Sequence, residues 1–443
     1  MKKLLLWLLC ISMLICVGCQ PGGKNGSKSN AESGDLIEAK GSEFVEGLKL
    51  KNLKNKTLRV TSGSSLEQLA AINFPDSPQT FYHALVVWEK TYGVEVILDN
   101  VNDDDLVAMY AADDMPDVIG PGTHPELLMD LTDLIDSKDS IYHNEYSVAY
   151  PPNMRSKIAF IKTPQRKYIV FNESRFVNEG QKTPLQLYKE GKWTWTQFVA
   201  TAKAMTDAAN DKYGFTGNEL GHNCCPYPLA NWDDAGRITL DFKNPKLVNV
   251  LSAIVKLNTE AKAQRTDNGS SNWREHFLKG KDAMLITNEY EFSEICRKSE
   301  LAGGDDFGIA PMFTFDITGE TKPFYDANSM VRCISSKSKN PEGAAEFIKI
   351  MAYVNSKFPE KMGQFESADK YLTDDERTAL KEQLDTSFTV QPLSYVSEEC
   401  AKNANLGASG YNGNQLTGNI SATLDAYAPQ IQQEVDEYNS KIK

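Results

Sequence analysis

From residue 57 onward, short runs with strand character alternate with segments of helical periodicity. Thr57-Leu58-Arg59-Val60-Thr61 and Val94-Glu95-Val96-Ile97-Leu98 are typical of strands, and apolar residues between Pro78 and Tyr92 recur at helical spacing. Gly93 supplies a C-terminal stop for that helix. Because strands separated by helices pair in parallel, this order predicts an α/β fold. Ligands then bind at the carboxyl ends of the strands.

The same alternation continues to the end of the chain. Met115-Pro116-Asp117-Val118-Ile119 predicts a turn and a buried strand, followed by the Gly/Pro loop from Gly120 to Gly122. The second half repeats the logic. Strands are predicted at 157–161, 168–172 and 283–286, and helices at 103–112, 195–208, 247–257, from Pro341 onward and from about Ala428 onward.

The size and charge of the chain limit the number of lobes and the kinds of partner that are expected. Its 443 residues, 41% hydrophobic and 24% charged, have an ordinary globular composition. That length exceeds what one hydrophobic core usually serves, so two lobes are expected. The formal net charge of −13 disfavours a nucleic-acid or basic membrane-docking surface, because both need clustered lysine and arginine.

The N-terminus resembles a bacterial lipoprotein signal. Lys2 and Lys3 precede a mostly apolar run from Leu4 to Val17, which is too short for a stable anchor helix and ends at Gly18-Cys19. The resemblance implies a signal peptide at 1–18 and a lipidated Cys19. Residues 19–56 would then be a flexible tether on the outer face of the cell membrane. The position three residues before Cys19 is usually aliphatic in such signals, and here it is Cys16. An ordinary secretory signal peptide is the alternative.

The remaining cysteines match no zinc-binding spacing. They are Cys224, Cys225, Cys296, Cys333 and Cys400. Mostly free, buried thiols are expected, and the sequence leaves open whether one disulfide forms.

Several segments read together resemble family 1 of the extracellular solute-binding proteins, the sugar receptors of ABC importers that include maltose-binding protein. The resemblance covers roughly Leu58 to Asn439. It is carried by Met115-Pro116-Asp117-Val118-Ile119, Ile169-Val170-Phe171-Asn172, the stretch from Thr183 to Trp195, the stretch from Phe277 to Met284, and Phe307-Gly308-Ile309-Ala310-Pro311-Met312.

The family implies a two-lobed periplasmic-binding-protein-like fold with discontinuous lobes, a hinge and a ligand cleft between the lobes. The N-terminal lobe would comprise 57–160 and 328–385, and the C-terminal lobe 161–327 and 386–443. Hinge closure would bury the ligand, which the resemblance implies is a carbohydrate such as an oligosaccharide, and a separate permease and ATPase would then import it. The resemblance implies a monomer that is not an enzyme, with no cofactor and no metal.

A carbohydrate cleft needs directional polar groups for hydroxyls and aromatic faces for the C–H surfaces of the sugar. In the first lobe, Ser62, Ser64 and His124 follow strands, although the serines also suit a plain turn and His124 could simply be solvated. Gln165 and Arg166 lie at the first crossover, where Arg166 could equally be a surface charge. Asp326 and Asn328 lie at the second crossover.

The second lobe supplies the aromatic candidates. Tyr227 and Trp232 are the expected stacking residues, with core packing as the alternative. Glu289, Tyr290 and the loop residue Tyr411 complete the set. By contrast, Trp193 and Trp195 begin a helix in a segment shared by relatives with different ligands, so a structural role is expected for both.

Two alternatives remain open. A surface glycoside hydrolase would use carboxylate pairs, but with 60 acidic residues their presence carries no weight. The sequence has neither a Gly-x-Ser-x-Gly nor a His-Glu-x-x-His motif. The other alternative keeps the fold and binds a cation, polyamine or anion. Asp103-Asp104-Asp105 is a weak argument for it, since acidic residues at a helix start are favoured by the helix dipole.

Overall fold

The computed structural model describes most of the chain beyond residue 50. The described ranges are 51–61, 78–101, 103–120, 124–143, 147, 150–161, 167–216, 225–265, 273–319, 331–357, 370–384, 392–408, 411–412, 415–416 and 418–442.

Twelve strands and twelve α-helices are found in these ranges. The strands are β1 Thr57–Thr61, β2 Glu95–Asp99, β3 Val118–Ile119, β4 Ala159–Phe160, β5 Tyr168–Asn172, β6 Ala230–Trp232, β7 Ile238–Leu240, β8 Met284–Thr287, β9 Phe307–Ala310, β10 Val331–Ile334, β11 Tyr411–Asn412 and β12 Gln415–Leu416. The helices are α1 Pro78–Tyr92, α2 Asp103–Ala111, α3 Glu173–Asn178, α4 Pro184–Lys189, α5 Trp195–Ala204, α6 Pro245–Thr259, α7 Trp273–Leu278, α8 Glu289–Ala302, α9 Pro341–Lys357, α10 Asp374–Leu384, α11 Glu398–Ala408 and α12 Ile420–Ser440.

The first lobe is built on a five-stranded sheet in the order β2-β1-β3-β10-β4. The predicted parallel pairing is confirmed where strands and helices alternate, since β1 runs parallel to β2 and β3. The late strand β10 inserts antiparallel between β3 and β4. The first lobe therefore contains chain from both before and after the second lobe.

Both faces of this sheet are covered by apolar side chains. Val118 and Ile334 point into a core formed with helices α1 and α9, whereas Ile119 and Cys333 point into a core on the opposite face. This alternation follows from the two-residue period of a strand.

Asp117, directly before β3, binds the segment 338–340 that follows β10. Its buried carboxylate accepts hydrogen bonds from the backbone N–H of Arg59 at 2.9 Å and of Asn340 at 2.9 Å, and from Ser338 Oγ at 2.6 Å. The Pro-Asp motif thus fixes the connection from β10 to α9.

The second lobe is built on β5, which lies between β8 and β9. The expectation that the second half repeats the parallel logic is wrong for these strands, because β5 runs antiparallel to both neighbours. Neighbouring strands are parallel only if the chain runs through them in the same direction. Here the chain runs through β5 in the opposite direction to β8 and β9. Its residues are buried on both faces, with Ile169 and Phe171 in one core and Tyr168 and Val170 in the other.

Trp193 and Trp195 have the structural role expected from the sequence. Both are 4% exposed and belong to the larger core of the second lobe, and Trp193 Nε1 donates to the Pro311 carbonyl at 2.9 Å. Thr183 closes a capping box with Gln186 at the start of α4, which fixes the approach to this pair.

Helix α10 packs on the second lobe, although the boundary drawn from sequence placed 328–385 in the first. Leu380 lies in the same core as Tyr168. Glu376 accepts from the Ile309 N–H at 2.8 Å, and Gln383 accepts from the Met312 N–H at 2.8 Å. The end of the first-lobe segment is therefore drawn too late in the sequence.

Helix α12 begins at Ile420 rather than near Ala428, where the sequence predicts its start. Asn419 caps it by accepting from the Ala422 N–H at 3.1 Å. Pro429 lies inside the helix. A proline usually ends a helix, and here the burial of Leu424, Ile431 and Val435 in one core outweighs the lost hydrogen bond.

The described cysteines are buried free thiols, as expected. They are Cys225, Cys296, Cys333 and Cys400, and burial raises the pKa of each thiol to about 12. Cys224 lies outside the described residues. In the described part of the chain, no helix is long and apolar enough to cross a bilayer.

Candidate functional site

A cavity of about 750 Å³ lies where loops of the first lobe meet the C-terminal helix of the second. One wall comes from the segments after β3 and before β4, and the other from the β6–β7 turn, the start of α11 and the end of α12. The lining residues are His124, Pro125, Glu126, Asn153, Lys157, Ala235, Val396, Ser397, Glu434, Glu437, Tyr438, Lys441 and Ile442.

The first-lobe wall is held by short local bonds. His124 follows β3 at the carboxyl end of the sheet, and its Nδ1 lies 3.1 Å from Glu126 Oε1. Lys157 Nζ donates to the Pro125 carbonyl at 2.9 Å. The loop after β3 and the 3₁₀ helix Pro152–Lys157 are therefore joined at the edge of the cavity.

The second-lobe wall is equally constrained. Asn439, on α12, exchanges two hydrogen bonds with Ile238 of β7: the Ile238 N–H donates to its Oδ1 at 2.7 Å, and its Nδ2 donates to the Ile238 carbonyl at 2.8 Å. Ser397 Oγ donates to Glu434. The hairpin, α11 and α12 thus form one support for the cavity.

The polar groups of the cavity are of mixed sign and mostly engaged with one another. Lys441 Nζ lies 3.2 Å from Glu437 Oε1, and His124 lies beside Glu126. Pro125, Ala235, Val396 and Ile442 add apolar surface to the lining. Such a surface offers donors, acceptors and apolar contact to a neutral polar solute, which is the usual composition of a small-molecule site.

Trp232 contacts the cores of both lobes. Its partly buried ring packs against the larger core of the second lobe and also against the first-lobe core that contains Ile119. The sequence predicts Trp232 as a stacking residue. The structure brings it to the lobe boundary, where a ligand between the lobes would be reached, and its contact with a ligand stays a prediction.

Tyr227 packs against the second-lobe core with part of its ring still accessible. Lys246 Nζ lies 5.6 Å from the ring centroid, and the Tyr227 Oη is buried with no hydrogen-bond partner in the described part of the chain. Its role in stacking on a ligand also stays a prediction.

Of the predicted polar residues, His124 lines the cavity. Glu289 and Tyr290 form the first turn of α8, which Asn288 caps, and Tyr411 lies in β11. The structure describes the backbone of these three residues but not their side chains. Six more candidates lie outside the described residues: Ser62, Ser64, Gln165, Arg166, Asp326 and Asn328.

Sequence reasoning missed most of the cavity. Asn153 and Lys157 lie in a segment with no strand or motif signal, and Glu434 and Lys441 are ordinary charged residues of a C-terminal helix. Tyr438 lies on the inward face of that helix and is only 6% exposed. Nothing in the helical pattern indicates that this face also meets the other lobe.

The described residues contain no group of three or more histidine, cysteine, aspartate or glutamate side chains that could hold a metal ion.

Comparison with solved structures shows the fold. The sugar-binding protein MalE of Xanthomonas citri is 14% identical over 86% of this chain and 98% of its own, with a TM-score of 0.60. The ABC substrate-binding protein Lmo0181 of Listeria monocytogenes, in complex with cycloalternan, is 16% identical over 85% and 98%, with a TM-score of 0.57. UgpB of Mycobacterium tuberculosis, in complex with glycerophosphocholine, is 14% identical over 86% and 99%, with a TM-score of 0.59.

These similarities establish the mixed α/β, two-lobed architecture of periplasmic binding proteins. No protein-family model matches the chain, and no curated protein is similar to it in sequence.

Proposed function

We propose that this chain is the substrate-binding component of an ABC importer and captures a carbohydrate between its two lobes. The observation that carries the proposal is the cavity of about 750 Å³, lined by both lobes in a fold shared with sugar-binding proteins of such importers. A binding protein of this kind works by closing around its ligand, and the transporter responds to the closed form.

The lining supports a neutral polyhydroxylated ligand. Carboxylates and lysines occur together in the lining, so no single charge dominates. Trp232, which is not among the residues that line the cavity, offers an aromatic surface at the lobe boundary. Hydroxyl groups are matched by such paired donors and acceptors, and the C–H faces of a sugar pack on an indole ring.

The N-terminal sequence completes the proposal. Lipidation of Cys19 would hold the receptor on the outer face of the cell membrane, with residues 19–56 as the tether. Anchoring raises the effective concentration of the receptor at a permease that, with its ATPase, is a separate chain. Replacement of Cys19 by alanine should move the protein from the membrane fraction to the soluble one, and retention in the membrane would overturn the anchor.

A thermal-shift screen tests the ligand class. The mature chain is mixed with neutral mono- and oligosaccharides, glycerophosphocholine, a polyamine and divalent cations. A ligand at 100 times its dissociation constant stabilises the folded state by about 2.7 kcal/mol. We expect a concentration-dependent rise in the melting temperature with at least one neutral sugar. A shift with a cation, polyamine or phosphodiester and with no sugar would contradict the carbohydrate proposal.

A further inference from the structure

Gly236 lies in the turn of the β6–β7 hairpin and is buried, unlike its exposed neighbours Asp234 and Arg237. Its φ is +86°, in the region that favours glycine. A Cβ built on Gly236 would lie 2.5 Å from Asn153 Oδ1 and 2.8 Å from Asn153 Cγ. Asn153 belongs to the first lobe, so the backbone of the second lobe closes directly onto a first-lobe side chain.

A second contact reaches the same asparagine. Tyr438 of α12 is 6% exposed and lines the cavity together with Asn153. Its Oη and Asn153 Oδ1 are both buried, and among the described residues neither has a hydrogen-bond partner of good geometry. Burial raises the pKa of the Tyr438 phenol and the Glu126 carboxylate adds to that rise, whereas the adjacent Asn153 side chain lowers it.

The groups on each side are held rigidly within their own lobe. Met154, next to Asn153, is fully buried in a first-lobe core. On the second lobe, Asp233 Oδ1 accepts from the N–H groups of Ala235 and Arg237 at 2.9 Å, which fixes the turn. The paired bonds of Asn439 with Ile238 attach α12 to the same hairpin. A relative motion of the lobes therefore separates Asn153 from Gly236 and Tyr438.

We propose that Asn153, enclosed between the Gly236 backbone and the Tyr438 phenol, is a latch that positions the two lobes around the cavity. When the lobes part, water solvates Asn153 Oδ1 and Tyr438 Oη. When they close fully, the Tyr438 hydroxyl can donate to Asn153 Oδ1, because a buried polar atom left unpaired is unfavourable. Gly236 is required since any larger residue would occupy the volume of the asparagine amide.

The latch deepens the proposed function, because it would set how much of the ligand-free receptor is closed. The apparent affinity of such a receptor is proportional to the fraction of molecules in the binding-competent form, so it falls when that fraction falls. Asn153 and Tyr438 are thus positioning residues, and the test can be made without any ligand.

Replacement of Gly236 by alanine is the primary test. The matched control is Gly303→Ala, at a glycine whose φ is +63° and whose Cβ would meet nothing within 4 Å. Both variants carry backbone strain, and only the first has a neighbour on the other lobe. Small-angle X-ray scattering of the ligand-free protein should give a larger radius of gyration for Gly236→Ala and an unchanged one for Gly303→Ala.

Hydrogen exchange locates the effect. Gly236→Ala and Tyr438→Phe should speed amide exchange in peptides covering 150–157 and 230–240, one on each lobe. Gly303→Ala should affect only the end of α8. In the Gly236→Ala/Asn153→Ala double variant the steric conflict is gone but the asparagine is lost as well, so the radius of gyration should fall from the Gly236→Ala value to that of Tyr438→Phe.

Unchanged scattering and unchanged exchange at 150–157 in both Gly236→Ala and Tyr438→Phe would overturn the latch, whatever the ligand screen gives. A failed screen with these changes present would overturn only the carbohydrate proposal. If Gly236→Ala does not fold, Tyr438→Phe decides alone, because it removes one hydroxyl and retains the packed ring.

Discussion

Replacement of Asp117 by alanine should lower the free energy of unfolding by about 4 kcal/mol. The carboxylate is 4% exposed and accepts from the N–H groups of Arg59, Lys339 and Asn340 and from Ser338 Oγ, at 2.6 to 3.0 Å. A hydrogen bond to a charged group contributes about 1.5–3 kcal/mol, and a buried donor left unpaired costs about 1–3 kcal/mol. Added over the four donors, these contributions exceed about 4 kcal/mol. Because residues 338 and 339 are partly accessible to water, water replaces some of the lost bonds and the expected loss is roughly 4 kcal/mol.

Urea unfolding followed by circular dichroism measures this loss. The control is Asp114→Ala. The Asp114 side chain is 62% exposed, and its Oδ1 lies 2.6 Å from Arg59 Nη1. An exposed ion pair contributes about 0–1 kcal/mol, so this variant should be nearly neutral. The Asp117 reasoning is refuted if the two variants lose the same free energy, or if Asp117→Ala loses less than about 1 kcal/mol.

Three further outcomes are expected. Asp282→Ala should cost about 3 kcal/mol in urea unfolding because it removes the fully buried carboxylate that pairs with the fully buried Arg265 side chain. By contrast, Glu260→Ala, which breaks an exposed pair with Lys256, should cost under about 0.5 kcal/mol. The four buried thiols should resist alkylation in the folded protein from pH 7 to pH 9, as mapped by mass spectrometry. Their pKa values of about 12 keep them protonated across this range, and rapid labelling before unfolding would contradict their burial. Trp232→Ala should weaken binding of any sugar found in the screen by about tenfold, given that aromatic contacts carry much of such binding energy, and an unchanged dissociation constant would remove Trp232 from the site.

The elements with strong local signals could be predicted from the sequence. Thr57–Thr61 and Tyr168–Asn172 are strands with the predicted bounds, and α1 covers the predicted Pro78–Tyr92. Thr57–Thr61 alternates apolar and polar residues, Tyr168–Asn172 is a short and mostly apolar run, and α1 has a 3.6-residue apolar period with Gly93 after its end. Local propensity and burial agree in them, so the pattern alone is sufficient.

The start of α12 was missed for a physical reason. Pro429 is a local signal against a helix, whereas the packing of Leu424 and Ile431 into one core is a tertiary effect that overrides it. Attachment of α10 to the second lobe was missed likewise. The amphipathic pattern of α10 predicts that one face is buried. It does not identify the partner, because the surface around Ile309 lies more than 60 residues away in sequence.

The sequence by itself determined that the chain alternates strands and helices, that it exceeds a single core, and that Trp193 and Trp195 are structural. The first two properties depend on period and composition, and the structural role of the two tryptophans was expected because relatives with different ligands share their segment. Only the tertiary structure decided the antiparallel direction of β5, the lobe that receives α10, and the meeting of Asn153 with Gly236 and Tyr438. Asn153 lies 83 positions before Gly236 and 285 before Tyr438, and no local pattern records which buried face will meet which.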